Sequence, residues 1–150
     1  MENQLQYRMY GLVPYNISPI QQGIQFGHAV VEYANQYFDT PTYQRWATKD
    51  KTFIILNGGT TNTSYYNPGT LNKHIETLTL NGIKFATFSE PDLGDQITAV
   101  VFLVDERVWD KLTYPDYLDD IDTDNADIDW FHKIPENEID TVMFLRDFLS

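Results

Sequence analysis

Three things are scarce in this chain of 150 residues: cysteine, cations and long apolar runs. The complete absence of cysteine excludes a structural disulfide, a thiolate nucleophile and a cysteine-ligated zinc site. No apolar run approaches the roughly 20 residues that span a bilayer. The opening Met1-Glu2-Asn3-Gln4-Leu5 lacks the basic stretch and apolar core of a secretion signal, so a cytoplasmic protein with no membrane partner is expected. Lysine and arginine number 10 against 22 aspartates and glutamates, for a formal net charge of -12. The imbalance is local. Met1 to Val104 holds 8 acidic and 6 basic residues, net -2, whereas Asp105 to Ser150 holds 14 and 4, net -10. Polyanions bind by exchanging counterions for Lys and Arg, so the acidic final third is a poor match to one while the first part is nearly neutral.

Histidine is equally sparse. His28, His74 and His132 lie far apart with no ligand-like spacing, which argues against a metal site, and no glycine-rich phosphate loop ending in Lys-Ser or Lys-Thr is present. No cofactor is expected. A chain of this length fits one domain and buries roughly two thirds of its unfolded surface, so its core needs no staple.

The apolar patterning reads as an α/β fold. Tyr7 to Val13 is aromatic and aliphatic enough for a first strand, ended by Pro14 and Asn16. Ser18-Pro19-Ile20-Gln21 offers an N-cap serine, a proline at the first helical position and a glutamine three after the cap. A helix begins there, with Ile20, Ile24, Gly27, Val31, Ala34 and Phe38 as its apolar face, and Gly23 and Gly27 allowing close approach to a sheet. A short helix follows over Pro41 to Lys49, capped by Thr40 and facing Tyr43 and Trp46 inward. Thr52 to Leu56 reads as a strand covered on both faces, and Asn57 to Ser64 as an exposed loop. Leu71, Ile75, Leu78 and Leu80 predict a third helix ending near Asn81-Gly82, Ile83 to Phe88 a third strand, and Ile97 to Val104 a fourth. The order β-α-α-β-α-β-β predicts a small mixed four-stranded sheet with flanking helices. Its last two strands are too close in sequence for a helical crossover and pair antiparallel.

At Ile17 to Ala29 the run Ile-Ser-Pro-Ile-Gln-Gln-Gly-Ile-Gln-Phe-Gly-His-Ala resembles the first-helix motif of the archaeal and eukaryotic type of peptidyl-tRNA hydrolase, including its small phage-encoded relatives. That motif has a Gly-Lys pair at the helix start, then Gln and His-Ala on the next turns. Ser89 to Ala99 is similar to a shortened form of the family's Asp-containing loop and its Thr-bearing last strand. The resemblance covers roughly Leu5 to Val104. It implies hydrolysis of the ester joining a peptide to a tRNA 3′ end, with Gln21, His28, Asp92 and Thr98 as catalytic positions. Gln25, Glu90 and Gln96 are the implied substrate contacts, with tRNA or a nucleotide-like ligand in the cleft. Two departures stand out. The lysine position is occupied by Gln21, and the loop is shorter, so either Asp92 or Glu90 can take the aspartate position.

Without the family, Gln21, Gln25, His28 and Glu32 still fall on one helix face, as a polar stripe lining a cleft, a solvated surface or buried structural hydrogen bonds. Asp92 in Pro-Asp-Leu-Gly reads as a general base or as a turn residue. The alternative function is a catalytically inactive member of the fold that binds or inhibits through its cleft or its acidic segment.

The organisation expected is a domain over residues 1–104 with an acidic extension, 105–150, packed on it. Trp109, Tyr114, Tyr117, Trp130, Phe131, Met143, Phe144 and Phe148 give the extension apolar mass, and Ile139 to Leu149 reads as a terminal helix. Asp120-x-Asp122-x-Asp124 imitates the opening of a calcium loop, yet Asn125 stands where glycine is needed and Phe131 where the bidentate glutamate belongs. The dense carboxylates suit a basic protein partner or simply a solubilising surface.

Overall fold

The computed structural model describes residues 5–61 and 69–106. Strand β1 (Tyr7–Pro14) leads into helix α1 (Pro19–Tyr37), then α2 (Pro41–Arg45), β2 (Thr52–Gly59), α3 (Thr70–Leu80), β3 (Phe85–Glu90) and β4 (Gln96–Asp105). The four strands form one mixed sheet in the order β2-β1-β4-β3. β1 and β2 are parallel, and β4 is antiparallel to both β1 and β3. This is the small α/β arrangement expected from the apolar pattern, including the antiparallel final hairpin. The acidic segment from Arg107 onward, with its calcium-like run and terminal helix, lies outside the described residues, as does 62–68.

Two apolar clusters sandwich the sheet. On one face Tyr10, Leu12, Val100, Phe102 and Val104 pack with Leu71 and Leu78 of α3. On the other, Met9, Val13, Ala99 and Val101 pack with Phe26, Ala29 and Tyr33 of α1 and with Trp46. The central strands therefore feed both clusters through the alternation of their side chains. Between α2 and β2 the chain makes a π-helical turn, Trp46–Asp50, closed by Lys51 in the left-handed conformation at φ 59°. Asp50 accepts from the Tyr7 N–H at 2.9 Å and faces Arg45 Nε at 3.4 Å, fastening this turn to the start of β1.

The N-terminus of α1 forms as its sequence dictates. The Ser18 hydroxyl accepts from the Gln21 N–H at 3.2 Å and Pro19 occupies the first turn. The face it buries differs from the expected one. Ile20, Ile24, Val31 and Phe38 point to solvent, and the residues turned inward are Gln25, Phe26, Ala29 and Tyr33. Gly23 and Gly27 are exposed, and a Cβ at either would meet nothing within 4 Å, so neither provides the close approach to the sheet. That role belongs to Gly11 of β1, where a Cβ would lie 2.1 Å from Phe26 Cδ1. The Phe26 ring lies against the bare strand backbone.

β2 also departs from expectation. It is an edge strand with Ile54 and Leu56 packed inward, whereas Phe53 and Ile55 on its other face are largely exposed. It runs on to Gly59 instead of giving way to a loop at Asn57. β3 begins at Phe85 and extends to Glu90, two residues beyond the expected end, and a short 3₁₀ turn (Pro91–Leu93) completes the connection to β4.

Candidate functional site

The carboxyl end of β1, the start of α1, the end of β3 and the beginning of β4 meet at one end of the sheet, because β4 runs antiparallel to both neighbours. Gln22 binds the β1–α1 connection from within, its amide donating to the carbonyls of Pro14 (3.4 Å) and Ile17 (3.1 Å). This fixes the first turns of α1 over the sheet.

Among the described residues, the two polar side chains in the interior are Gln25 and Thr98, at 3% and 0% exposure. They satisfy each other. The Thr98 hydroxyl donates to Gln25 Oε1 at 2.5 Å, with the Phe88 carbonyl a further acceptor at 3.3 Å. The Gln25 amide nitrogen donates to Glu90 Oε2 at 3.0 Å and toward Gln21 Oε1 at 3.4 Å. Buried polar groups are retained when every member finds a partner, and here the orientation of one amide is set from both ends. Glu90 uses its other carboxylate oxygen to cap the 3₁₀ turn, accepting from the Asp92 N–H at 3.3 Å.

Thr98 reaches this network through a break in strand alternation. Phe88 pairs with Ala99 and Ser89 with Ile97, leaving Thr98 as the extra residue of a β-bulge. Ile97 packs on the α3 side, while Thr98 and Ala99 both face α1. In a regular strand Thr98 would point the opposite way from Ala99, away from Gln25.

His28 lies one turn beyond Gln25, its ring stacked on Phe88 with centroids 4.4 Å apart and planes at 13°. Gln96 is backbone-paired with Glu90 at the start of β4. Asp92 is exposed, and its backbone rather than its carboxylate meets Glu90. The residues named from the motif are therefore arranged in two ranks. Gln21, Gln25, Glu90 and Thr98 form one hydrogen-bonded group, with His28 beside it on Phe88, while Asp92 and Gln96 occupy the rim. Phe88 and the loop-anchoring Gln22 were not singled out by sequence. Gln22 carries no motif signal, and Phe88 acquires its role only from strand pairing that places it under His28.

Chemically, the group offers an oriented carboxylate at the surface, an immobilised amide behind it and a flat ring stack alongside. Among the described residues, the acidic side chains at this end of the sheet are Glu90, Asp92 and Asp95, and Gln21 stands where the resemblance expects a lysine. No group of three or more His, Asp or Glu side chains suited to a metal ion occurs among the described residues, nor is any described helix long and apolar enough to cross a membrane. No family model matches the chain, and no curated protein matches it.

Proposed function

We propose that the chain is a peptidyl-tRNA hydrolase-like ester hydrolase with Glu90 as its general base. The observation that carries this reading is the hydrogen-bonded group of Gln25, Thr98 and Glu90, three residues separated by as many as 73 positions in sequence. In the proposed reaction Glu90 takes a proton from a water, and the water oxygen bonds to the ester carbon. The bond from that carbon to the 3′ oxygen then breaks, and the proton passes to the departing oxygen. General-base catalysis of this kind contributes roughly 10²- to 10⁴-fold. Gln25 and Thr98 hold the carboxylate in place; Thr98, wholly buried, is a positioning residue. The exposed face of His28 supplies a surface for the terminal base of a tRNA.

A second reading rests on the same end of the sheet. Among the described residues, three carboxylates and no matching lysine there favour a neutral or amine-bearing ligand over a polyphosphate, as in a protein that keeps the fold and binds without turnover. Single-turnover release of peptide from peptidyl-tRNA by the full chain separates the two. Hydrolysis that falls at least 100-fold in Glu90→Gln, less in Asp92→Asn, and rises in Gln21→Lys supports the enzyme. Binding without release, or release indifferent to Glu90→Gln, removes it.

A further inference from the structure

Helix α1 is apolar over more of its circumference than its own sheet covers. At about 100° per residue, the arc from Phe26 through Val30 and Ala34 to Ile20, Val31 and Ile24 spans about 160° and contains no charged or amide side chain. The sheet covers only the Phe26 side of this arc. Ile20 is 77% exposed, Ile24 45%, Val31 58% and Phe38 60%. An arc this wide exceeds the stripe of about 100° that a helix packed on one face alone needs. On the same side of the sheet, β2 leaves Phe53 at 53% and Ile55 at 45% exposure. Phe53 packs edge-on against Phe26, with centroids 5.2 Å apart, so the bare strand face adjoins the bare helix flank.

We propose that this continuous face is a self-association surface on which a second copy of the chain docks, with the two α1 helices side by side and antiparallel between the two sheets. The patch carries both parts of a self-complementary fit. Its ridge is Ile20, Ile24, Val31 and Phe38, and its floor is Phe53 and Ile55. A two-fold axis sets each ridge on the partner's floor, as an isologous interface requires. With roughly 100 Å² open on each of these six side chains, about 600 Å² per copy would be covered, at the lower end of the about 600–1,000 Å² per partner of a standard interface. Gly27 and Gly23 beside the ridge leave room for a neighbouring helix, since a Cβ on either meets nothing within 4 Å. None of the residues in the patch is charged. Each copy carries -12 overall, so association must work against like-charge repulsion, and salt should strengthen it.

Sedimentation equilibrium of the full chain tests this. The mass should rise from 17.5 kDa toward twice that value with concentration. Added salt should lower the dissociation constant several-fold. Val31→Glu and Phe53→Glu should each weaken the dimer at least 10-fold while the circular dichroism spectrum is retained. Because the chain has no cysteine, Gly27→Cys provides a second route: mild oxidation should trap a covalent dimer in the wild-type background. A monomer persisting at about 100 μM in high salt would overturn the proposal, as would dimers untouched by both glutamate variants. So would a face that binds neutral lipid vesicles instead, or a Val31→Glu variant that loses stability with no change of mass.

Discussion

The Thr98 hydroxyl has water on no side, so its proton must go to a protein oxygen, and Gln25 Oε1 receives it at 2.5 Å. Thr98→Val removes that donor and leaves a buried amide oxygen unmatched, at a cost of about 1–3 kcal/mol. Thr98→Ser keeps the bond and should lose mainly the methyl packing. Urea denaturation of the two variants separates the contributions; equal losses would mean that the hydroxyl contributes little. Tyr10 presents the opposite case. It is 1% exposed, and its hydroxyl has no hydrogen-bond partner among the described residues. Burial raises its pKa from 10.0 to about 12, partly offset by the nearby Arg8. The folded chain therefore holds this proton after the unfolded chain has lost it. The associated stability is fully present below pH 10 and declines as pH rises from 10 to about 12. Tyr10→Phe should flatten that decline and should not destabilise at neutral pH, since it removes an unpaired polar group. His74 adds an acid-side counterpart, because partial burial lowers its pKa. Its contribution is lost as pH falls through the ordinary histidine value toward the lower folded one. His74→Gln should be less sensitive than the wild type to a step from pH 7.5 to pH 5.5, about one unit either side of that value.

At the scale of elements, helix and strand positions were largely legible because they depend on local chemistry. The Ser18 cap, the Thr40 cap and the turn at Gly82 (φ 71°) all lie where residue type alone puts them. The facing of α1 was not legible, because its largest aliphatics recur at steps of four and three on the outer side. The side that packs on the sheet is led by an amide, Gln25, and by a ring that needs Gly11 opposite it. Hydropathy cannot rank a glutamine above an isoleucine for burial; only a partner such as Thr98 can, and the bulge that supplies it is a property of strand pairing. The two sides of α1 should respond differently when tested at concentrations where the chain is monomeric. Phe26→Ala should cost about 3–5 kcal/mol, whereas Ile20→Gln should stay within about 0.5 kcal/mol. Ser18→Ala should cost about 1 kcal/mol through the lost cap. Gly11→Ala should destabilise, since its Cβ falls within 2.2 Å of two Phe26 ring carbons. A smaller residue at position 26 should restore part of the loss, as coupled neighbours do.

Over the whole molecule, stability is graded from the middle of the sheet outward. β1 and β4 are paired on both edges and contribute to both apolar clusters, so opening either exposes two cores together. Among the described residues, β2 is paired only with β1 and has one bare face, and β3 is paired only with β4. Opening an outer strand therefore exposes less apolar surface than opening a central one, and local openings with little exposed surface occur well below the free energy of global unfolding. The candidate site is built across this gradient. Thr98 lies in central β4, Gln25 on the sheet-facing side of α1, and Glu90 at the last residue of outer β3, where the 3₁₀ turn begins. The hydroxyl and amide that orient Glu90 thus belong to the slowest part of the structure, while the carboxylate lies where the chain can yield to a ligand. Native-state hydrogen exchange can resolve this. Amides of Tyr10 to Val13 and of Val100 to Phe102 should exchange only through global unfolding, with rates that respond steeply to urea. Amides of Phe53, Ile55 and Ser89 should exchange through local openings nearly independent of urea. In Thr98→Val the local class should spread into Ala99 and Val100, because the bulge loses the bond that holds it against α1. Protection that is as high and as urea-sensitive in β2 as in β1 would mean that the free edge and bare face of β2 are covered in solution. At protein concentrations that favour association, that result is what a second copy seated on Phe53 and Ile55 would produce.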